Sequence, residues 1–156
     1  MNPLFELSSE ITPDILFVDC RHSLTDKYLG QRLYEDHHLP NAIFAHVEKD
    51  LSDPKKISEK IYGRHPLPVV EDFINFLQVN GINSDTHLVA YDDDGGVYAA
   101  RFWWMLNWIG HHKVSILNGG LKAWQKSGNH LENTKPERKR GQIKKKTRTC
   151  SSMENS

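Results

Sequence analysis

The feature that most constrains the fold of this chain is its alternation of short apolar runs with longer segments of helical spacing. Runs of five or six residues rich in apolar and β-branched side chains are typical of buried strands. Segments whose apolar residues recur every three or four positions are typical of helices that pack on one face. The predicted strands cover residues 15–20, 42–46, 86–91 and 113–117, and the predicted helices cover 28–36, 69–80, 97–109 and 121–127. Strands separated by helices predict an α/β fold, a parallel sheet with helices on both faces.

Length and hydropathy exclude several classes of protein. With 156 residues, 38% hydrophobic and 26% charged, the chain has the size and composition of one ordinary globular domain. No apolar run approaches the ~20 residues that span a bilayer, so we expect no membrane association. The first residues lack a basic segment followed by an apolar one and do not resemble a secretory signal, so we expect a cytoplasmic protein. Residues 49–68 hold four Gly and Pro and predict a long surface connection.

Charge divides the chain into two regions. Residues 1–134 hold 12 Lys and Arg against 18 Asp and Glu, a net charge of −6, whereas residues 135–156 hold 8 against 2, a net charge of +6. The second region has only Ile143 and Met153 as large apolar residues, too few to offset the entropy of ordering. We predict one domain over 1–134 and a disordered Lys/Arg-rich tail over 135–156. The basic run 144–148 could contact nucleic acid, but the acidic domain makes nucleic acid an unlikely main ligand.

Cysteine and histidine give no sign of a local metal site. Cys20 and Cys150 are too few for a disulfide framework. Cys20 ends an apolar run and is predicted to be a small, partly buried residue, and Cys150 an exposed, unactivated thiol. The nine histidines are scattered and none has the spacing of a zinc-binding helix. The sequence therefore predicts neither a metal site nor a cofactor.

The loop after the third predicted strand is the expected place for chemistry. In open α/β sheets, ligands bind beyond the carboxyl ends of the strands, and the next helix offers free N–H groups to an anion. The loop reads Asp92-Asp93-Asp94-Gly95-Gly96, and its glycines permit a tight turn. A cysteine at its first position would be activated as a thiolate. Asp92 stands there instead, and we expect its carboxylate to cap the helix and to repel an anionic substrate.

Five stretches of the sequence resemble one known family in order and spacing. They are ILFVDCR (15–21), HLPNAIFAHVEKDLS (38–52), GRHPLP (63–68), LVAYDDDGGVYAARFWWMLNW (88–108) and GHHKVSILNGGLKAW (110–124). Together they resemble the N-terminal, non-catalytic domain of two-domain bacterial sulfurtransferases of the rhodanese and 3-mercaptopyruvate sulfurtransferase family. After residue 128 the chain departs from the family, whose members continue into a second domain of similar size. A truncated gene or a frameshift would give such an ending.

The resemblance implies a rhodanese fold and a reaction that moves sulfane sulfur from thiosulfate or 3-mercaptopyruvate through a cysteine persulfide. In the family that cysteine lies in the second domain, and the first domain carries Asp at the loop position, as Asp92 does here. A carboxylate cannot form a persulfide, so the loop should be catalytically silent. The partners implied are a small sulfur-donor anion and a cysteine-bearing rhodanese domain, either a separate chain or the missing C-terminal half.

The resemblance also suggests roles at the boundary with that second domain. Arg64 and His65 would shape the substrate entrance there. Arg101, in the first turns of a helix, is expected to pair with one of the aspartates at 92–94. The helix bearing Trp104 and Trp108 is apolar on two sides, which indicates burial between the sheet and a further partner.

Two other functions remain open from the residues. Asp92 and Asp94 resemble the first motif of haloacid dehalogenase-like phosphatases, in which they would act as nucleophile and acid/base with a magnesium ion. That chemistry needs further carboxylates, and the acids after Asp94 are few and none ends a strand: Glu132, Glu137 and Glu154. The other alternative is a non-enzymatic rhodanese-like binding or scaffold module, with no turnover of any sulfur donor.

Overall fold

A computed structural model describes residues 3–8, 11–59 and 65–146 of the chain. From the second strand onward each strand is followed by one helix, except the third, which is followed by two. The strands are β1 (Leu4–Phe5), β2 (Ile15–Asp19), β3 (Ile43–Phe44), β4 (His87–Tyr91) and β5 (Val114–Leu117). The helices are α1 (Leu29–Asp36), α2 (Pro54–Glu59), α3 (Val70–Val79), α4 (Val97–Trp108) and α5 (Gly120–Lys126). All strand pairs are parallel, in the order β1-β5-β4-β2-β3, and the predicted α/β fold is confirmed.

Side chains of β4 alternate between two separate cores, which explains why the sheet is covered on both faces. Leu88 and Ala90 face the first core, while Val89 and Tyr91 face the second. The first core receives α3 and α4 through Phe73, Leu77, Phe102, Met105 and Leu106. The second core receives α1 and α5 through Tyr34, Leu121 and Trp124. The carboxyl edge of the sheet lies between these two helical layers.

Two elements differ from the sequence prediction. Strand β1 pairs with β5 at the sheet edge through only two residues, a length at which no periodicity is readable. The predicted surface connection over 49–68 contains α2, and it also buries Leu51 and Ser52. The buried part of the connection around Leu51 and Ser52 therefore belongs to the fold. Among the described residues, no helix is long and apolar enough to span a membrane.

The described part of the basic tail packs against the domain, which differs from the predicted disorder. Ile143 is only 1% exposed and lies in the core cluster of α3 and α4. Three N–H groups of the tail donate to carbonyl oxygens of the domain: Gly141 to Gln78, Ile143 to Ile82 and Lys146 to Ile109. The low apolar content of the tail predicted disorder. Composition gives only an average over the segment, and it does not show that one buried apolar side chain and several backbone hydrogen bonds hold the described part in place. The rest of the predicted tail, 147–156, lies outside the described residues.

Candidate functional site

The loops that follow β2, β3, β4 and β5 converge at the carboxyl edge of the sheet. This convergence follows from the parallel pairing, because all these strands end at the same edge. Residues 20–22 follow β2, residues 45–52 follow β3, residues 92–96 follow β4, and residues 118–119 follow β5. The edge therefore gathers polar side chains that are far apart in sequence.

The carboxylate of Asp92 occupies the N-terminus of α4. Its Oδ1 accepts the N–H groups of Asp94 and Gly96, and its Oδ2 accepts those of Tyr98 and Ala99, each at 2.9 Å. Asp92 is only 2% exposed, so these four bonds form away from bulk water. A negative charge here also complements the positive end of the helix dipole. This is the capping arrangement expected from the sequence.

The arrangement leaves Asp92 little chemistry of its own. Both oxygens accept two N–H groups each and almost no solvent reaches the side chain, so the carboxylate is not presented as a nucleophile. Asp94, the acid/base of the phosphatase alternative, donates its own N–H to Asp92 and is exposed. The phosphatase alternative gains no support from this geometry, because its first residue is buried as a helix cap.

The turn from β5 into α5 contacts the Asp92 loop on its other side. The N–H of Leu121 donates to the carbonyl oxygen of Asp92 at 3.1 Å. Gly120 has φ of +61°, and a Cβ added to it would lie 2.6 Å from the same oxygen. The turn therefore requires glycine at 120, both for conformation and for space. A cavity of about 350 Å³ lies between the two loops, and Asp93, Gly95 and Lys122 are among its lining residues.

A buried charged network lies beside this loop, and the sequence analysis missed it. The guanidinium of Arg21 donates from Nε and Nη2 to the carboxylate of Asp19, with Nη2 to Oδ2 at 2.7 Å. Nη2 also donates to the carbonyl oxygen of His37, and the Tyr91 hydroxyl donates to Asp19 Oδ2. Arg21 is 4% exposed and Asp19 is fully buried. The sequence signal that could have identified this network is the Asp-x-Arg pattern at the end of a buried strand.

Cys20 lies next to this network and is not a nucleophile. Its side chain is fully buried, and its thiol contacts the carbonyl oxygen of Val18 at 3.8 Å. Burial, helped by the charges of Asp19 and Asp92, raises the pKa of this thiol well above its usual value. The thiolate form needed for sulfur chemistry is thus disfavoured, which agrees with the structural role expected for Cys20.

A cluster of imidazoles lies at the ends of β2 and β3. The His22 ring contacts the rings of His46, His65 and Tyr98 edge to face, with centroids 5.3–5.8 Å apart. Glu48 Oε2 lies 3.6 Å from His22 Nε2. Burial lowers the pKa of both His22 and His46, which keeps these rings neutral near pH 7. The predicted residue His65 belongs to this cluster, whereas Arg64 lies outside the described residues.

The interactions of Arg101 differ from the predicted ion pair. Its Nη2 donates to the carbonyl oxygens of Leu51 and His65, each at 2.7 Å, and its Nε also donates to Leu51. The expectation of a salt bridge with an aspartate of the 92–94 run is wrong, because Asp92 is already satisfied by backbone N–H groups and Arg101 reaches the connection after β3. Arg101 thus anchors that connection and holds the backbone of His65.

One face of α4 carries large apolar side chains at the surface. Trp104 is 49% exposed and Val97 63% exposed, and the rings of Trp104 and Trp108 stack with centroids 6.1 Å apart. Trp108 is partly buried against the core, so Trp104 and Val97 form the exposed part of this face. We call Val97, Trp104 and Trp108 the tryptophan face.

Comparisons with known proteins agree with the geometry. A family model described as the rhodanese-like domain matches residues 6–127. Over 122 residues the chain is 44% identical to a probable 3-mercaptopyruvate sulfurtransferase of Pseudomonas aeruginosa, covering 78% of this chain and 42% of that protein. It is 33% identical over 135 residues to a thiosulfate sulfurtransferase of Rattus norvegicus, covering 84% of this chain and 42% of that protein.

Solved structures give the same result. SseA from Escherichia coli, a 3-mercaptopyruvate sulfotransferase, matches with a TM-score of 0.74 and 33% identity, covering 86% of this chain and 50% of that one. The 3-mercaptopyruvate sulfurtransferase from Leishmania major matches with a TM-score of 0.74 and 32% identity, covering 83% and 36%. The chain thus spans half or less of the length of each of these proteins.

Proposed function

Because this chain belongs to the family of rhodanese-like domains, we propose that it is the catalytically silent half of a sulfurtransferase. The family function is sulfur transfer, and its relatives bear the names of 3-mercaptopyruvate and thiosulfate sulfurtransferases. In the proposal the donor's sulfur passes to a cysteine thiolate on a second rhodanese domain. The S–S or C–S bond of the donor breaks, sulfite or pyruvate leaves, and a persulfide forms on that second domain.

The observation that carries the proposal is the state of the Asp92 loop. A sulfurtransferase loop needs a thiolate under the helix N–H groups. Here a carboxylate accepts four of those N–H groups and is buried, so the cradle has no place for a persulfide or for a donor anion. The nearby Cys20 does not substitute for the missing thiolate, because it is buried and its thiol pKa is raised.

The tryptophan face is the surface we assign to the second domain. Trp104 and Val97 are exposed although they are among the most apolar side chains of α4. The chain spans 42% of the Pseudomonas relative, so that relative has a further part that can cover such a surface. Aromatic anchors are the residues that contribute most to protein interfaces.

The test measures thiocyanate formation with cyanide as acceptor and thiosulfate or 3-mercaptopyruvate as donor. The purified chain alone should give no turnover. Addition of the chain to the separately expressed remainder of the Pseudomonas relative should raise the turnover of that remainder. Trp104→Ala should weaken this effect at least tenfold, as for an interface anchor. Val79→Ala, which removes an equally exposed apolar side chain from α3, is the matched control and should behave as wild type.

Two results would overturn parts of the proposal. Turnover by the chain alone would refute the silent loop. Failure of Trp104→Ala to differ from Val79→Ala would refute the assignment of the tryptophan face. The scaffold alternative predicts a third result, in which the chain binds the remainder of the relative without changing its turnover.

A further inference from the structure

We propose that His22, Glu48 and His65 form a binding site for a divalent transition-metal ion, with zinc as the best match. Each residue offers one ligand atom, and these three atoms lie within 4.8 Å of one another. The site lies beyond β2 and β3 and uses no residue of the Asp92 loop. It does not depend on the proposed sulfurtransferase role.

One of the three separations is already close to that of a tetrahedral site. Zinc bonds of ~2.0–2.2 Å place neighbouring ligand atoms about 3.3 Å apart. His22 Nε2 and Glu48 Oε2 are already 3.6 Å apart. The rings of His22 and His65 are inclined at 78° with centroids 5.7 Å apart, so the two imidazoles do not stack face to face. The remaining separations are at most 4.8 Å and would have to shorten by up to about 1.5 Å for all three atoms to bind one ion.

A buried nitrogen provides a second, independent reason. The His22 side chain is 2% exposed, and its Nε2 has no hydrogen-bond partner within the described residues. A buried polar atom without a hydrogen-bond partner is unfavourable and calls for an explanation. A metal ion at the cluster would satisfy this nitrogen. Glu48 is 27% exposed, so the site opens to solvent on the Glu48 side, where a water molecule or an exogenous ligand can complete a tetrahedron.

The backbones that carry the ligands are held by hydrogen bonds. His46 Nδ1 accepts the N–H groups of Glu48 and Lys49, while its Nε2 donates to the carbonyl oxygen of Lys27 at 2.7 Å. The His46 ring thus fixes the turn that presents Glu48. Arg101 Nη2 holds the carbonyl oxygen of His65 at 2.7 Å. Such supporting contacts keep ligands near one geometry and strengthen metal affinity.

The ligand types select the class of ion. Two imidazoles and one carboxylate suit zinc, cobalt and nickel, whereas calcium and magnesium prefer sites made of oxygen atoms alone. We therefore expect Zn²⁺ and Co²⁺ to bind and Mg²⁺ not to compete with them.

The experiment titrates the full 156-residue chain with Co²⁺ and records its visible absorption, followed by displacement with Zn²⁺. Wild type should give the intense visible bands of four-coordinate cobalt, saturating at one ion per chain, and a raised melting temperature with Zn²⁺. Glu48→Gln and His65→Ala should each lower the affinity by at least tenfold to a hundredfold, since even outer contacts of a metal site have that effect. His130→Ala removes an exposed imidazole elsewhere and should bind as wild type.

His22→Ala is the most direct variant, but its side chain is buried and the protein could fail to fold. Circular dichroism and thermal melting check each variant, and Glu48→Gln, at a partly exposed position, keeps the test decisive if His22→Ala is unstable. The proposal is overturned if cobalt binding persists unchanged in Glu48→Gln and His65→Ala. It is also overturned if the only signal is weak and falls equally in His130→Ala.

Discussion

Replacing Asp92 with asparagine tests how strongly this carboxylate holds the edge of the sheet. The carboxylate accepts four N–H groups at 2.9 Å. Asparagine keeps one oxygen for two of them and turns its amide N–H groups toward the other two, so two charge-assisted bonds are lost. At about 1.5–3 kcal/mol for each, the free energy of unfolding should fall by about 3–6 kcal/mol. That is a large part of the ~5–15 kcal/mol that stabilises a typical domain.

Urea denaturation at pH 7, followed by tryptophan fluorescence, measures this change. With a denaturant slope of ~2 kcal/mol per molar urea, the midpoint should fall by about 1.5–3 M. Asp94→Asn is the matched control, because Asp94 is exposed and engages Asp92 only through its backbone N–H, so its effect should stay within ~0.5 kcal/mol. If the free energies of unfolding of the two variants differ by less than ~0.5 kcal/mol, the four-bond cap does not stabilise the domain and the prediction is wrong.

Three further predictions concern other parts of the fold. Gly120→Ala should lower the free energy of unfolding by more than the ~1–2 kcal/mol of a left-handed residue, because its Cβ also meets the carbonyl oxygen of Asp92. Gly96→Ala should cost only that conformational term, because its Cβ would make just an ordinary contact with Ile116 Cγ2 at 4.0 Å. Burial raises the pKa of Asp50 to about 6, so protonation favours the folded state. The unfolding free energy of wild type relative to Asp50→Asn should therefore fall by up to ~3 kcal/mol between pH 4 and pH 7, as measured by urea titration at each pH. Ile143→Ala should cost ~2–5 kcal/mol in the same assay if the tail segment is part of the core, and near zero if it is not.

Local patterns were enough to predict most of the sheet and its helices. In β4 every side chain from Leu88 to Tyr91 is apolar, which identifies a strand buried on both faces, and the structure places alternate residues in different cores. Asp92 directly follows this strand. Its position there and the glycines that follow it in the sequence predict a helix cap. Each of these inferences needs only neighbours in sequence.

Features that depend on distant residues could not be predicted in the same way. His22, Glu48 and His65 come from three different loops, so no short spacing rule connects them, and the prediction that the scattered histidines form no metal site rested on such rules alone. The ion pair predicted for Arg101 is wrong for a related reason. The partners of Arg101 are carbonyl oxygens of the connection after β3, in which Leu51 is buried. The fold, rather than any local motif, brings these groups together.

At the carboxyl edge of the sheet, the groups that could bind an anion are already paired with carboxylates of the domain itself. The guanidinium of Arg21 is committed to Asp19, and the helix N-terminus is committed to Asp92. Asp93 and Asp94 add exposed carboxyl groups at the same loop. An anion such as thiosulfate therefore meets negative charge here and gains no free helix N–H group in return. This charge distribution supports the proposal that the donor anion binds on a second rhodanese domain and not at the Asp92 loop.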